Sequence, residues 1–226
     1  MKRSFKLGAM AVACAAGVMV SAGAANFTSS ADRLHEVGLF QGTGMTTSGA
    51  PQYDLDRAPT RAEAAVMLVR LLGKEADAKA LTYTAPFTDL EGWEAPYVQY
   101  LYDNKLTTGA TATTFEPKAK CSAQMYTTFL LRSLGYSDAQ NGDFTYTGAL
   151  DFAADNVGLI DESFCDTNNF LRDNVAAMSL EALATPVKAT DITLLDKLIA
   201  DGVIDQIKAA PLSQFIDLAE SYNKAV

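Results

Sequence analysis

One helix-start pattern recurs three times along this chain, and no other feature restricts its fold as strongly. It is best preserved as Thr60-Arg61-Ala62-Glu63, running into an apolar stretch from Ala64 to Gly73. It returns as Ser122-Ala123-Gln124-Met125 ahead of Tyr126 to Gly135, and as Leu171-Arg172-Asp173-Asn174 ahead of Val175 to Leu183. A supersecondary unit this small cannot bury its apolar face alone, so its copies must pack on one another. Thr60 and Ser122 are good N-caps, and Glu63, three residues after Thr60, completes a capping box. Ala64, Met67, Leu68, Leu71 and Leu72 recur at three- and four-residue spacing and mark one buried helix face.

Each repeat also has a first helix that ends in a tight turn. Gly38 and Gly158 stand where such a helix needs a left-handed residue to stop. Lys105 replaces the glycine in the second repeat, and Asn104 beside it is expected to take the left-handed position instead. An aromatic stands seven residues before the cap in the first two repeats, Tyr53 and Phe115. In the third, Phe170 directly precedes Leu171, so that loop is built differently. The spacer from Lys74 to Pro86 is read as continuing the preceding helix before it becomes a linker. Beyond Pro186, Lys197 to Ile204 repeats the helix-end signature, with Asp191 as the cap before it and Pro211 opening a last helix through Tyr222. These read as two amphipathic helices on the outside of the fold, with a fourth half-repeat as the alternative.

The first residues follow a different logic. Lys2, Arg3 and Lys6 precede an apolar run from Leu7 to Val20 and the small residues Ala22-Gly23-Ala24, the pattern of a secretory signal peptide over 1–24. Cys14 after small residues also permits a lipidated start. The apolar run is too short and too rich in Ala and Gly for a membrane span, and none is expected in the mature chain. Taking those three cations from 18 basic residues, against 27 acidic ones, leaves a formal charge of −12. That balance argues against nucleic acid or anionic lipid as partner, since both reward clustered Lys and Arg.

The two cysteines of the mature chain, Cys121 and Cys165, fit either a bridge between adjacent repeats or two buried thiols. With the lone His35 they form neither a zinc set nor a catalytic dyad, so no metal or cofactor is expected. No nucleophile elbow, phosphate-binding glycine loop or metal-spaced histidine pair occurs, and the chain reads as non-enzymatic.

The residues of the second repeat carry a family resemblance. Phe87-Thr88-Asp89-Leu90, Trp93, Tyr97-Val98, Leu101, Gly109, Phe115-x-Pro117 and the capped helix resemble a surface-layer homology (SLH) module. Thr60-Arg61-Ala62-Glu63 with Leu68-x-Arg70-x-Leu72-Gly73 is similar to that module's second-helix signature. The resemblance covers Phe27 to Lys188 as repeats at 25–75, 86–136 and 143–188, the first with a shortened first helix and the third degenerate, followed by a helical segment at 189–226.

Such a resemblance implies a mostly α fold, with three helix-loop-helix repeats around a pseudo-threefold axis in one chain, plus C-terminal helices. It further implies an exported protein of a Gram-positive-type envelope, held non-covalently to secondary cell-wall polysaccharide, often pyruvylated, in grooves between modules. The free N–H groups at the start of the Thr60 helix, with Arg61, suit a sugar-borne carboxylate. Candidate carbohydrate-binding residues are Arg61, Thr60, Glu63, Gly42, Gly44, Asp89, Trp93 and Arg172. Ala123 and Met125 replace both charged residues in the second copy, which narrows the expected sites to one or two. The alternative is a structural or protein-interaction module that has lost glycan binding, with the C-terminal helices meeting a protein partner.

Overall fold

Each recurring start opens a helix in the computed structural model, which describes residues 27–90, 92–161 and 163–225, with side chains as far as Leu218. The expected signal peptide and Cys14 lie outside the described residues. In chain order the elements are α1 (Thr28–Glu36), a hairpin of β1 (Gly44–Met45) and β2 (Pro51–Gln52), α2 (Arg61–Leu71), α3 (Glu75–Lys79), α4 (Ala95–Asp103), α5 (Ala123–Ser133), α6 (Ala149–Asp151), α7 (Arg172–Ala184), α8 (Leu194–Ala200) and α9 (Gln206–Ala225). The hairpin is antiparallel, with Gly44 opposite Gln52 and Met45 opposite Pro51. The fold is mostly helical.

Capping chemistry sets where the three long helices begin. The Thr60 hydroxyl accepts the Glu63 N–H at 3.1 Å, and the Glu63 carboxylate accepts the Thr60 N–H at 2.8 Å. The Ser122 hydroxyl accepts the Met125 N–H at 3.2 Å. Leu171 offers no oxygen, and Asn174 compensates by accepting the Leu171 N–H through its Oδ1 at 2.7 Å. Half of a capping box therefore survives in the third copy.

First helices pack on long helices of neighbouring repeats: α4 on α2, α6 on α5, and α1 on α7. α7 also meets α5 and α8. Surrounded in this way, all of its residues from Arg172 to Ala184 are buried. Its run from Val175 to Ala184 is apolar but for Ser179 and Glu181, as a central position favours. The Tyr126 hydroxyl, fully buried on α5, hydrogen-bonds Ser179 Oγ of α7 at 2.7 Å, so the polar groups at this contact satisfy each other.

The first-helix ends share one geometry. Leu39 N–H closes on the Leu34 carbonyl at 2.8 Å, Leu106 on Leu101 at 2.8 Å, and Val203 on Leu198 at 2.9 Å, each five residues back. The left-handed residue inside each closure is Gly38, Lys105 and Gly202. This corrects the expectation for Asn104, which stays at φ −90° while Lys105 takes φ +59°. The closing bond fixes which position must be left-handed, whatever residue occupies it. Asn104 instead donates its amide to the Tyr100 carbonyl at 2.8 Å. Since Lys105 is exposed and strained, Lys105→Gly is expected to stabilise the protein by about 0.5–1 kcal/mol in urea unfolding. In the third repeat the closure spans six residues, Leu159 to Ala153 at 2.9 Å, because the π-helical turn Phe152–Val157 absorbs one extra residue.

Three local expectations change. Gly73, at φ +65°, ends α2, so α3 is a separate short helix and not its continuation. Thr193, not Asp191, caps α8, its hydroxyl accepting the Asp196 N–H at 3.1 Å. Pro211 lies inside α9, whose start is capped by the Asp205 carboxylate accepting the Ile207 and Lys208 N–H groups. The C-terminal segment is also tied to the repeats. A Cβ on Gly73 would fall 1.9 Å from a Val203 methyl, and the Arg33 guanidinium lies 3.8 Å from the centre of the Phe215 ring.

Candidate ligand grooves between repeats

The start of α2 does not offer free N–H groups. Thr60 N–H binds Glu63, Glu63 N–H binds the Thr60 hydroxyl, Arg61 N–H donates to the Ala119 carbonyl at 2.8 Å and Ala62 N–H to Pro117 at 3.1 Å. An anion at this helix start would have to displace bonds within the protein. What these backbone bonds do is fasten the aromatic loop of the second repeat to the helix start of the first. The same pair recurs elsewhere, with Arg172 N–H donating to Arg57 at 2.9 Å and Asp173 N–H to Leu55 at 3.1 Å.

The consequence is that each helix-start arginine points into a groove of another repeat. Arg172 Nε donates to the Tyr53 carbonyl at 2.8 Å, with Met67 Sδ at 3.6 Å from its Nη1. Arg61 Nε donates to the Phe115 carbonyl at 2.7 Å, with Met125 Sδ at 3.0 Å from its Nη1. Arg172 lines a cavity of about 170 Å³ together with Gly42, Thr43, Glu63, Arg70, Trp93 and Tyr97. Arg61 lines a different cavity of about 410 Å³ with Thr107, Gly109, Glu116, Arg132, Asp138 and Tyr146. Arg61 and Glu63, two residues apart in sequence, thus serve separate grooves.

Charge is distributed unevenly within these grooves. Arg57, Arg70 and Arg132 are paired with Glu63, Glu75 and Asp138 at 2.6, 3.0 and 2.7 Å. Neither Arg61 nor Arg172 has an ion pair among the described residues. Arg172 is 3% exposed, and burial pulls its pKa below the usual arginine value. A buried cation without a carboxylate is costly, and an anionic ligand group would offset that cost. Burial raises the pKa of Glu63, but the bonds from Arg57 and the Thr60 N–H outweigh it and hold the carboxyl below its usual range.

The remaining candidates fall in various places. Trp93 is 59% exposed and stands just before α4 at the rim of the Arg172 groove, where its ring face is free to stack. Gly42 lines the same groove, although its lack of a side chain answers an internal contact, since a Cβ would lie 2.4 Å from the Gln52 carbonyl oxygen. Gly44 sits in β1, exposed and outside the described cavities. Asp89 accepts the Phe115 and Glu116 N–H groups at 2.8 and 2.7 Å, bracing the loop that Arg61 meets. Thr60 is occupied as a cap. The structure adds Arg70, whose buried Nε has no partner, and Tyr97, whose hydroxyl donates to Glu75 at 2.7 Å. Both stand among the residues that carry the family resemblance, but neither was singled out as a ligand candidate, since their helical spacing also fits plain packing.

Both cysteines are free and buried, so the bridge between repeats is absent. Burial pushes the Cys121 thiol up to about 12 and Cys165 up to about 11. Each is held by its own surroundings, Cys121 against the Ser122 carbonyl and Cys165 in the third repeat's loop. His35 is engaged through Nδ1 with the Phe40 carbonyl at 3.0 Å and packs edge-on against Tyr53.

A largely helical chain in which arginines from one repeat enter grooves of another is the setting for the match found with a known family: residues 86–122 match the S-layer homology domain. Among similar proteins, an endoglucanase of Bacillus sp. (strain KSM-635) is 28% identical over 109 residues, 43% of this chain and 12% of that protein. The middle cell wall protein of Brevibacillus brevis and the surface layer protein of Brevibacillus choshinensis are each 30% identical over 112 residues, 49% of this chain and 10% of theirs. This chain therefore spans only about a tenth of the length of these relatives. The domain match and the relatives mark a secreted protein associated with the cell surface or cell wall. No helix among the described residues is long and apolar enough to cross a membrane.

Proposed function

We propose that this protein is a non-catalytic wall-binding module in which three S-layer homology-type repeats close into a pseudo-threefold ring and hold secondary cell-wall polysaccharide in grooves between repeats. The cyclic order of packing, α4 on α2, α6 on α5 and α1 on α7, supports the ring. The observation that carries the binding reading is Arg172, a buried cation without an ion pair, facing a groove rimmed by the exposed Trp93. Guanidinium and indole together suit a sugar that carries a carboxylate, such as a pyruvate ketal, with the charge-assisted bonds giving orientation and the ring face giving apolar contact. The Arg61 groove, rimmed by Tyr146, is the second site. The position equivalent to these arginines in the second repeat is Ala123, so the third groove lacks the cation. The stretch shared with the endoglucanase is a small part of that enzyme and gives no reason to assign catalysis.

The test is co-sedimentation of the mature protein with purified wall sacculi before and after removal of the secondary polymer. Binding is expected to disappear with the polymer. Binding that survives stripping overturns the proposal in favour of a protein or peptidoglycan partner. Trp93, the chain's one tryptophan, lets fluorescence report on the Arg172 groove by itself.

A further inference from the structure

We infer that Arg57 is a positioning residue for the Arg172 groove: by clamping Glu63 it keeps that carboxylate from neutralising Arg172, and so leaves the guanidinium free for the anionic group of the ligand. This rests on the glycan-binding reading above. Glu63 and Arg172 line one cavity, and a carboxylate beside a buried guanidinium is its natural partner. Yet the partner of Glu63 is Arg57, through two parallel bonds, Nη1 to Oε2 at 2.9 Å and Nη2 to Oε1 at 2.6 Å, while Oε2 also accepts the Thr60 N–H. Both carboxylate oxygens are engaged by partners other than Arg172, Oε1 in one bond and Oε2 in two.

The other acid that acts on Arg172 electrostatically, Asp54, is similarly occupied. Asp54 accepts Thr43 Oγ1 at 2.7 Å and Gln52 Nε2 at 2.8 Å, and Arg57 Nε lies 3.7 Å from it. Arg57 also fixes Arg172 from the other side, because its carbonyl accepts the Arg172 N–H at 2.9 Å. One residue thus anchors the backbone of the ligand arginine and restrains the acid that would quench it.

The Arg61 groove supplies an internal comparison. There the residue whose carbonyl accepts the arginine N–H is Ala119, and the residue at the Glu63 position is Met125. Without the acid, the clamp is missing too. The two grooves reach the same end, an arginine without an ion pair, by different routes.

The test uses the full chain and follows Trp93 fluorescence on titration with a pyruvylated disaccharide. Arg57→Ala is expected to weaken the response about tenfold, as released Glu63 turns to Arg172. Arg57→Ala with Glu63→Gln is expected to recover to within about threefold of the wild type, since glutamine keeps the cap but not the charge. No loss in the single variant, or loss without recovery in the double, overturns the inference. The ¹⁵N shift of Arg172 Nε provides a readout that needs no ligand: it should move in Arg57→Ala and return in the double variant. A shift that stays put overturns the inference even if the disaccharide fails to bind the wild type, an outcome that would remove the binding reading instead.

Discussion

Replacing Arg172 by methionine is expected to weaken binding of a pyruvylated disaccharide at the Trp93 groove by about a hundredfold while changing fold stability by no more than about 1 kcal/mol. Binding would lose the groove's guanidinium without an ion pair, since Arg70, which lines the same groove, is paired with Glu75. Stability has two opposing contributions. The variant leaves the Tyr53 carbonyl without its Nε–H partner, and it also removes a buried cation that has no ion pair. Methionine supplies an apolar chain to fill the site, while the guanidinium's contacts with Met67 Sδ and the Phe40 ring are lost. Fluorescence titration and urea unfolding on the same sample separate the outcomes. A stability loss above about 3 kcal/mol would show a structural arginine rather than one kept for a ligand.

Asp138→Ala is the substitution expected to cost the fold most, about 3 kcal/mol. Arg132 donates to both Asp138 oxygens at 2.8 and 2.7 Å and to the Leu106 carbonyl at 2.8 Å, with the two side chains only 9% and 15% exposed. Removing the acid strands the guanidinium in a groove that already contains the unpaired Arg61. The melting temperature should fall by roughly 6–12 °C. The same pair gives an acid dependence. Burial raises the pKa of Asp138, but the Arg132 bonds outweigh it and the net shift is downward from 3.8. A lowered folded pKa means that the stabilisation is present above the unfolded value and is lost as pH falls through the folded one. Glu75, pushed down to about 2 by Arg70, has the same sign, so thermal melts should show stability declining below about pH 4.5. Asp173 runs the other way. Burial raises it to about 6, and the contribution it makes at low pH is lost as pH rises through that value.

Much of the fold was legible because it is local. The caps at Thr60 and Ser122 and the glycine stops at Gly38 and Gly158 depend on residues a few positions apart, and they formed as their spacing indicates. The helix ends at Lys105 and Gly73 and the place of Pro211 differ from the sequence expectation. Closing hydrogen bonds, Leu106 N–H to Leu101 and Lys74 N–H to Val69, set the left-handed residue at the first two, and the Asp205 carboxylate starts α9 ahead of Pro211. The candidate site was less legible. Arg61 and Glu63 looked like one motif with Thr60, but positions two apart on a helix face different directions and here enter different grooves.

From the sequence alone came the recurring helix starts and stops, the acidic balance that argues against nucleic acid, and the two arginines kept at the recurring start, Arg61 and Arg172. All of these follow from short-range pattern and composition. Only the tertiary structure decided that Arg172 shares its groove with Trp93 and Glu63, residues 79 and 109 positions away in the chain. It also decided that the Arg61 and Ala62 N–H groups at the start of α2 are filled by the neighbouring loop, and that the two cysteines remain free. The physical reason is common to all three. Which side chains meet across repeats depends on how whole helices pack to bury their apolar faces, and that packing is not written in the spacing of any single segment.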